Sequence, residues 1–389
     1  MYSHKQIYLD YAAATPVDRR VSRLVFELSG KFYGNPSSAH GFGLAAKEVL
    51  EKARKKIAAI LAVKAEEIFF TGSGTESDNL AILGVARANK HKGRHIITSN
   101  IEHLAVLNAC RKLEEEGFEV TYLSADSNGL VDPSLAQKFL RKTTILVSIM
   151  HANNEIGAIQ PIKKISEAMS EFRPIFHSDA CQSAGFLNIC PHTLGVDLLS
   201  FNSSKIYGSK GIGCLYKKSG IDLESFFSGG SQEKGLRAGT ENSALAAGLA
   251  LALETAEEKK KEEGRRLTDL RDWFIGKIMV EIPDAKLNGD RKKRLPNNIN
   301  ISFKDVNGEM LMLALAQKGI AVSTGSACTS SNAGTSHVIK AIGDSLRQPA
   351  DGGKKWGNLR ISLGRETTKR DLAYFLNILK KETSRLAML

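Results

Sequence analysis

Only five cysteines occur in the 389 residues, an odd number, and none forms a C-x-x-C pair or stands at a zinc-like spacing from histidine. That argues against a disulfide framework and a dedicated metal site, and predicts mostly buried thiols in a reducing compartment. Long apolar runs are also missing. The stretch Ala244 to Ala252 is too short to cross a bilayer and is interrupted by Gly248. Met1-Tyr2-Ser3-His4-Lys5-Gln6 has no apolar signal core, so a soluble, cytoplasmic protein is expected. There is no internal repeat or low-complexity segment, and neither a Walker loop nor a dinucleotide fingerprint, which argues against ATP and NAD. Acidic residues are outnumbered, 42 to 54, for a formal charge of +12. The basic residues are nevertheless spread along the chain. The densest runs, Lys259-Lys260-Lys261 and Arg291-Lys292-Lys293-Arg294, have no interleaved aromatics, so a solvated basic surface is expected rather than a nucleic-acid face. An acidic protein partner fits the charge equally well.

The chain is longer than one hydrophobic core readily serves, so two domains are expected. Between Ile68 and Tyr216, short apolar runs alternate with helical patterns: Ile68 to Thr71, His95 to Thr98, Val120 to Leu123, Ile145 to Ile149, Ile175 to Ser178, Leu198 to Phe201 and Ile212 to Tyr216. Near-continuous apolar strands separated by helices imply a mostly parallel sheet covered on both faces. A long helix over Asn242 to Met279, polar from Glu257 to Arg266, reads as the link into a second domain. That domain has strands at Asn298 to Phe303 and Leu359 to Leu363, and helices near Glu309 to Gln317 and Lys369 to Leu379. Gln348 to Gly353 reads as an exposed loop.

The chemistry-bearing residues follow these strands, where open α/β sheets bind ligands. Thr71-Gly72-Ser73-Gly74-Thr75-Glu76 leaves a strand and opens a helix. Bare glycines and free N–H groups at a helix start suit a phosphate, although an ordinary turn capped by Thr75 fits the same letters. His103 can stack on a flat ring and move protons; Asn154 suits a phenolate oxygen or a carboxylate. Asp179 ends an apolar run, where pairing with a protonated pyridine nitrogen offsets its burial. Gln182 follows within reach of the same ring. Lys205, in Ser203-Ser204-Lys205-Ile206-Tyr207-Gly208, is placed to become nucleophilic on desolvation. Cys328 lies in Gly325-Ser326-Ala327-Cys328-Thr329-Ser330, too polar a run for a core strand.

In their order these motifs resemble the cysteine desulfurases of the NifS/IscS-like group, within the class-V aminotransferases. The resemblance runs almost end to end, from Tyr8-Leu9-Asp10-Tyr11-Ala12-Ala13-Ala14-Thr15-Pro16 and Gly34-Asn35-Pro36-Ser37-Ser38-Ala39-His40 to Arg237-Ala238-Gly239-Thr240 and Leu359-Arg360-Ile361-Ser362-Leu363-Gly364. It implies an α/β fold of the pyridoxal 5'-phosphate-dependent type I, like aspartate aminotransferase. A large domain over 16–262 would carry a mostly parallel seven-stranded sheet. Residues 1–15 and 263–389 would form a smaller α+β domain carrying the cysteine loop. It further implies a homodimer. Lys205 would be the Schiff-base lysine, Asp179 the partner of the pyridine nitrogen, Gln182 and Asn154 contacts of the phenolic oxygen region, and His103 the stacking and proton-transfer residue. Gly74, Thr75, Ser203, Ser204 and the other subunit's Thr240 would bind phosphate. Arg360, with Asn35 and Asn154, would hold the substrate carboxylate, and Cys328 would carry the persulfide. Sulfur would pass to an acceptor such as an iron–sulfur scaffold or a tRNA thiolation enzyme; whether Cys328 also ligates a transferred cluster is left open. Two departures stand out. Ser204 replaces the histidine that many relatives have before the lysine, and Asn332-Ala333-Gly334-Thr335 differs from common forms of the loop. Other reactions on the same scaffold (transamination, selenocysteine lysis, a kynureninase-like cleavage) are disfavoured by Cys328. A non-catalytic sulfur-trafficking role is disfavoured by the intact Asp179, Lys205 and Cys328 set.

Overall fold

Runs of apolar residues bounded by polar ones form the middle of the molecule. The structure is a computed structural model that describes residues 6–325, 336–344 and 356–388. Its first eight strands are β1 (Ile7–Tyr8), β2 (Ile68–Thr71), β3 (His95–Ser99), β4 (Glu119–Leu123), β5 (Thr144–Ser148), β6 (Ile175–Asp179), β7 (Leu198–Asn202) and β8 (Gly213–Lys217). Four more follow: β9 (Ala285–Leu287), β10 (Asn298–Lys304), β11 (Ile320–Ala321) and β12 (Trp356–Ser362). Every residue of β2, β3 and β5 is buried, as strands covered on both faces require.

Seven strands make the central sheet, in the order β2-β8-β7-β6-β5-β3-β4. The pairs β3–β4, β3–β5, β5–β6 and β6–β7 are parallel. Strand β8 runs antiparallel to both its neighbours, β7 and β2. The short stretch between Asn202 and Gly213 contains no crossover helix, so β8 has to return beside β7 in the opposite sense. Strand β4 lies on one side of β3 and β5 on the other. The connections leaving β3 and β5 therefore diverge and open a crevice at the carboxyl edge of the sheet. Ser99, Ser148, Asp179 and Asn202 end the parallel strands along that edge.

A 39-residue helix, Ser243–Glu281, is about 58 Å long at 1.5 Å per residue. Its first third packs Ala246, Leu249, Leu253 and Ala256 into the core around the central sheet. Leu267, Phe274, Ile275 and Ile278, near its end, belong to a second core with Leu9, Ile301, Leu311, Ile361 and Phe375. The two apolar patches flank the charged stretch Glu257 to Arg266, which has no core to enter. Above the second core lies an antiparallel sheet in the order β12-β10-β9, with β1 and β11 paired in parallel beside it. Asp10 bridges Ser362, and Ser323 bridges Arg360, so chain ends far apart in sequence meet at one place.

Cys110, Cys181 and Cys214 are buried and Cys190 is partly buried, all as free thiols. Arg294 departs from the expectation of a solvated basic run. It is 3% exposed and donates to the Asn288 carbonyl and to Asn298, and its burial beside Arg271 lowers its pKa to about 9. Among the described residues no helix is long and apolar enough to cross a membrane. Cys328, Asn332 to Thr335 and Gln348 to Gly353 lie outside the described residues.

Candidate functional site

Strand β2 runs through Gly72 and Ser73 into the helix Gly74–Ala88, with no room for a side chain at Gly74. Ser73 is the N-cap, its hydroxyl accepting from the Glu76 N–H at 3.1 Å, while Glu76 Oε2 accepts from the Gly72 N–H at 3.0 Å. Thr75 is thus not the cap, and its exposed side chain lines the crevice. A Cβ on Gly74 would stand 2.5 Å from Cys181 Sγ and 3.0 Å from Asn202 Nδ2. Only glycine lets the backbone N–H groups of this helix start face a ligand here.

The neighbouring strands each deliver one polar group to the same crevice. After β3, His103 caps the helix Leu104–Glu115, Nδ1 accepting from the Ala105 N–H at 3.2 Å. A neutral ring then carries its proton on Nε2. Asn154, 7% exposed, follows β5, and its carbonyl accepts from Arg360 Nη1 at 3.3 Å. Asp179 is the last residue of β6, with Oδ1 accepting from the Cys181 N–H at 2.8 Å. Gln182 lies in a turn rather than a helix, and its amide donates to the Ala12 carbonyl at 2.9 Å. After β7, the single turn Ser203–Lys205 presents the lysine, whose ammonium donates to the carbonyls of Ala12 at 2.9 Å and Ala13 at 2.5 Å. Arg360 comes from β12 on the opposite wall. It is 1% exposed, with Nη2 on Asp10 Oδ1 at 2.7 Å and Nε without a partner among the described residues.

Together these groups line a cavity of about 180 Å³ that opens to solvent. It unites Gly74, Thr75, His103, Asn154, Asp179, Gln182, Lys205 and Arg360. Four expected residues do not line it. Asn35 is exposed, its side chain accepting from the Ser37 N–H; Thr240 is exposed; Ser204 offers its carbonyl to Thr15; Ser203 is fully buried with its hydroxyl unpartnered. Cys328 belongs to the undescribed segment between Gly325 and Ser336.

Several lining residues escape the sequence reading: Asp78, Asn202, Met150 and the Ala12–Ala13 carbonyls. For Asp78 a signal existed, because it follows Gly74 and Thr75 by one helical turn and so shares their face. Asp10 was legible only as part of a motif, with no way to see its pairing with Arg360. The buried acids set the electrostatics. Burial pushes Glu102 up to about 8, against hydrogen bonds from Ser99 and the Met150 N–H. Asp78 is raised well above the carboxylate range, first by burial and then by the charge of Asp179. Burial lowers His177 to about 4, so it stays neutral between Ser148 and Ser200, 2.9 Å from each.

Residues 7–375 match the family model described as aminotransferase class-V. The cysteine desulfurase IscS of Dictyoglomus turgidum is 48% identical over 382 residues, 98% of this chain and 95% of that protein. The chain belongs to the class-V aminotransferases, in their cysteine desulfurase branch. A solved NifS-like protein superposes with a TM-score of 0.88 at 36% identity, covering 99% of this chain and all of that one. Another, SspA in complex with cysteine, gives 0.76 at 33% identity over 92% of this chain and 99% of its own. The fold is that of the type I pyridoxal-phosphate enzymes, and pyridoxal 5'-phosphate is the desulfurase cofactor. The cavity fits such a group. Polar atoms that are buried and without partners among the described residues, Asp78 Oδ1, Asn202 Oδ1 and Arg360 Nε, belong to residues that line it, and so does Gly74 at the start of its helix, where free N–H groups suit a phosphate.

Proposed function

We propose that this desulfurase converts L-cysteine to L-alanine, with Lys205 as the cofactor-bearing base and Cys328 as the sulfur carrier. One observation carries the reading: Lys205, Asp179 and Arg360 line one cavity, and the segment leading to Cys328 starts at its wall. Ser323 and Arg360 exchange backbone hydrogen bonds at 3.1 and 2.6 Å. On the far side, Ser336 donates to Glu155 at 2.5 Å, next to Asn154. Cys328 is three residues beyond Gly325, within about 10 Å of it at full extension. The solved relative SspA, in complex with cysteine, supports the substrate.

Asp179 would hold the pyridine nitrogen, His103 the ring face, and the Gly74–Thr75 helix start the phosphate; Ser203 and Ser204, which do not line the cavity here, would reach the phosphate only after a local shift. Gln182 has a second amide hydrogen for the phenolic oxygen, beyond the one given to Ala12. When bound, pyridoxal phosphate supplies an electron sink at the substrate α-carbon. The Arg360 guanidinium, fixed by Asp10, orients the substrate carboxylate together with Asn154; Asn35, which does not line this cavity, would have to come within reach to share that role. Lys205 takes the α-proton, and the Ala12 and Ala13 carbonyls hold its ammonium. The Cys328 thiolate attacks the substrate sulfur; the S–S bond forms as the Cβ–S bond breaks, and the electron pair left on carbon is protonated. Cysteine thereby loses one sulfur atom to become alanine, and the Cys328 thiol becomes a persulfide.

The exposed Thr240 fits a phosphate contact made to a second copy, and exposed Phe26, Tyr33 and Phe42 offer apolar surface for such a homodimer. The two hydrophobic cores support a division into a large domain over 16–262 and a small one over 1–15 with 263–389. Persulfide delivery to an acidic acceptor protein in the cytoplasm, an iron–sulfur scaffold or a tRNA thiolation enzyme, suits the +12 charge. The test separates the two residues. Lys205→Ala should lose borohydride-trappable cofactor and α-proton exchange. Cys328→Ala should keep both and make no alanine from cysteine. Normal alanine production by Cys328→Ala would refute the sulfur-carrier role.

A further inference from the structure

Asp78 is the one acid of the cavity that the proposed chemistry leaves without a task. It is 1% exposed, it lines the cavity, and its Oδ1 has no hydrogen-bond partner among the described residues. The helix Gly74–Ala88 holds it over β6 and β7, where His177 Nε2 is 3.7 Å from Oδ1 and Ser200 hydrogen-bonds its side chain. His177 does not act as a counter-ion, because burial keeps it neutral and its two ring nitrogens are taken by Ser148 and Ser200. The other groups facing this corner are Asp179 on β6, Cys181 just beyond it and Glu102 beside the helix Leu104–Glu115. Lys205, His103 and Arg360 face it from across the cavity. Lys205 is occupied by Ala12 and Ala13, and Arg360 by Asp10. Among the described residues the one ion-pair contact of Asp78 is thus with the neutral His177, while the charge of Asp179 raises its pKa further.

We propose that Asp78 is a positioning residue that holds a proton: a neutral carboxylic acid beside Asp179 that leaves Asp179 as the ionised member of the pair. This rests on Asp179 pairing the pyridine nitrogen. A carboxyl that is 1% exposed and faces the charge of a second carboxylate keeps its proton more readily than one in water. A proton held on Asp78 directs the single negative charge to the atom that needs it, and the neutral O–H adds a donor to the cavity. Asparagine would supply the same neutrality and a donor of the same shape, whereas alanine would supply neither.

The test has a readout that does not depend on turnover. Aspartate carrying carbon-13 in its side-chain carboxyl is incorporated, and infrared spectra of the cofactor-free wild type are recorded at neutral pH. A protonated aspartate carboxyl band is expected, and Asp78→Asn should remove it. The isotope separates it from Glu102. Titration of the apo-proteins with pyridoxal phosphate should then give Asp78→Asn within about threefold of wild type and Asp78→Ala about tenfold weaker, the loss of about one hydrogen bond. No protonated aspartate in the wild type would overturn the proposal even if no variant folds, and so would equal weakening by asparagine and alanine. Asp179→Asn serves as the control. If it leaves cofactor affinity and colour unchanged, the pairing of Asp179 has failed, whatever the infrared band shows.

Discussion

Replacing Arg360 by alanine should damage substrate capture far more than the chemical step. The guanidinium is 1% exposed and held in place by Asp10 Oδ1 at 2.7 Å and the Asn154 carbonyl at 3.3 Å, and its Nε has no partner among the described residues. A substrate carboxylate would complete that free donor with a charge-assisted hydrogen bond, worth about 1.5–3 kcal/mol. At 1.4 kcal/mol per tenfold, this amounts to a rise of about 10- to 150-fold in KM for L-cysteine. The loss also leaves the Asp10 carboxylate, which pairs Arg360 at the cavity wall, without its cation, which adds repulsion against an anionic substrate. Steady-state alanine release by wild type, Arg360→Ala and the double variant Arg360→Ala/Asp10→Asn reads both effects, and the double variant should recover part of the loss. Cofactor affinity should stay close to wild type. A KM within about twofold of wild type, with only kcat reduced, would refute the carboxylate role.

The folded protein holds Glu102 protonated up to about pH 8, whereas an unfolded chain releases that proton near 4.5. The folded state therefore binds the extra proton between these values, and its stability falls as pH rises by up to about 1.4 kcal/mol per unit. Glu102→Gln should remove that decline, so its denaturation midpoint relative to wild type should climb from pH 5 to 8; parallel curves would contradict it. Glu233→Ala leaves Arg54 buried without the carboxylate that binds it at 2.7 and 2.9 Å, and should cost about 3–5 kcal/mol in urea unfolding. Gly74→Ala drives a methyl into Cys181 and Asn202 and should weaken pyridoxal-phosphate binding at least tenfold by apo-protein titration, with the fold retained by circular dichroism.

The central sheet was legible because β2, β3 and β5 are buried on both faces, which leaves unbroken apolar runs in the sequence. Strand direction was less so: nothing in Ile212 to Tyr216 distinguishes the antiparallel β8 from its parallel neighbours. Strands β1 and β11 have two residues each, too few to show a period, and their partnership spans over three hundred positions. The site divides the same way. Lys205, Asp179 and His103 stand at strand ends, where position alone makes a polar residue conspicuous. Asp78 sits inside a helix and reads as one more polar residue until the fold places it over β6 and β7. The link between Asp10 and Arg360 depends on tertiary packing, and so does the spending of one Gln182 amide hydrogen on Ala12.

The most direct test of the desulfurase account is peptide mass mapping on a single preparation. Borohydride reduction of the resting enzyme should fix the cofactor on the Lys205 peptide. Brief exposure of a second aliquot to L-cysteine without reductant should add one sulfur atom to the Cys328 peptide. The peptides of Cys110, Cys181, Cys190 and Cys214 should stay unmodified. Cofactor fixed on another lysine, or the added sulfur on any of those four cysteines in place of Cys328, would contradict the account.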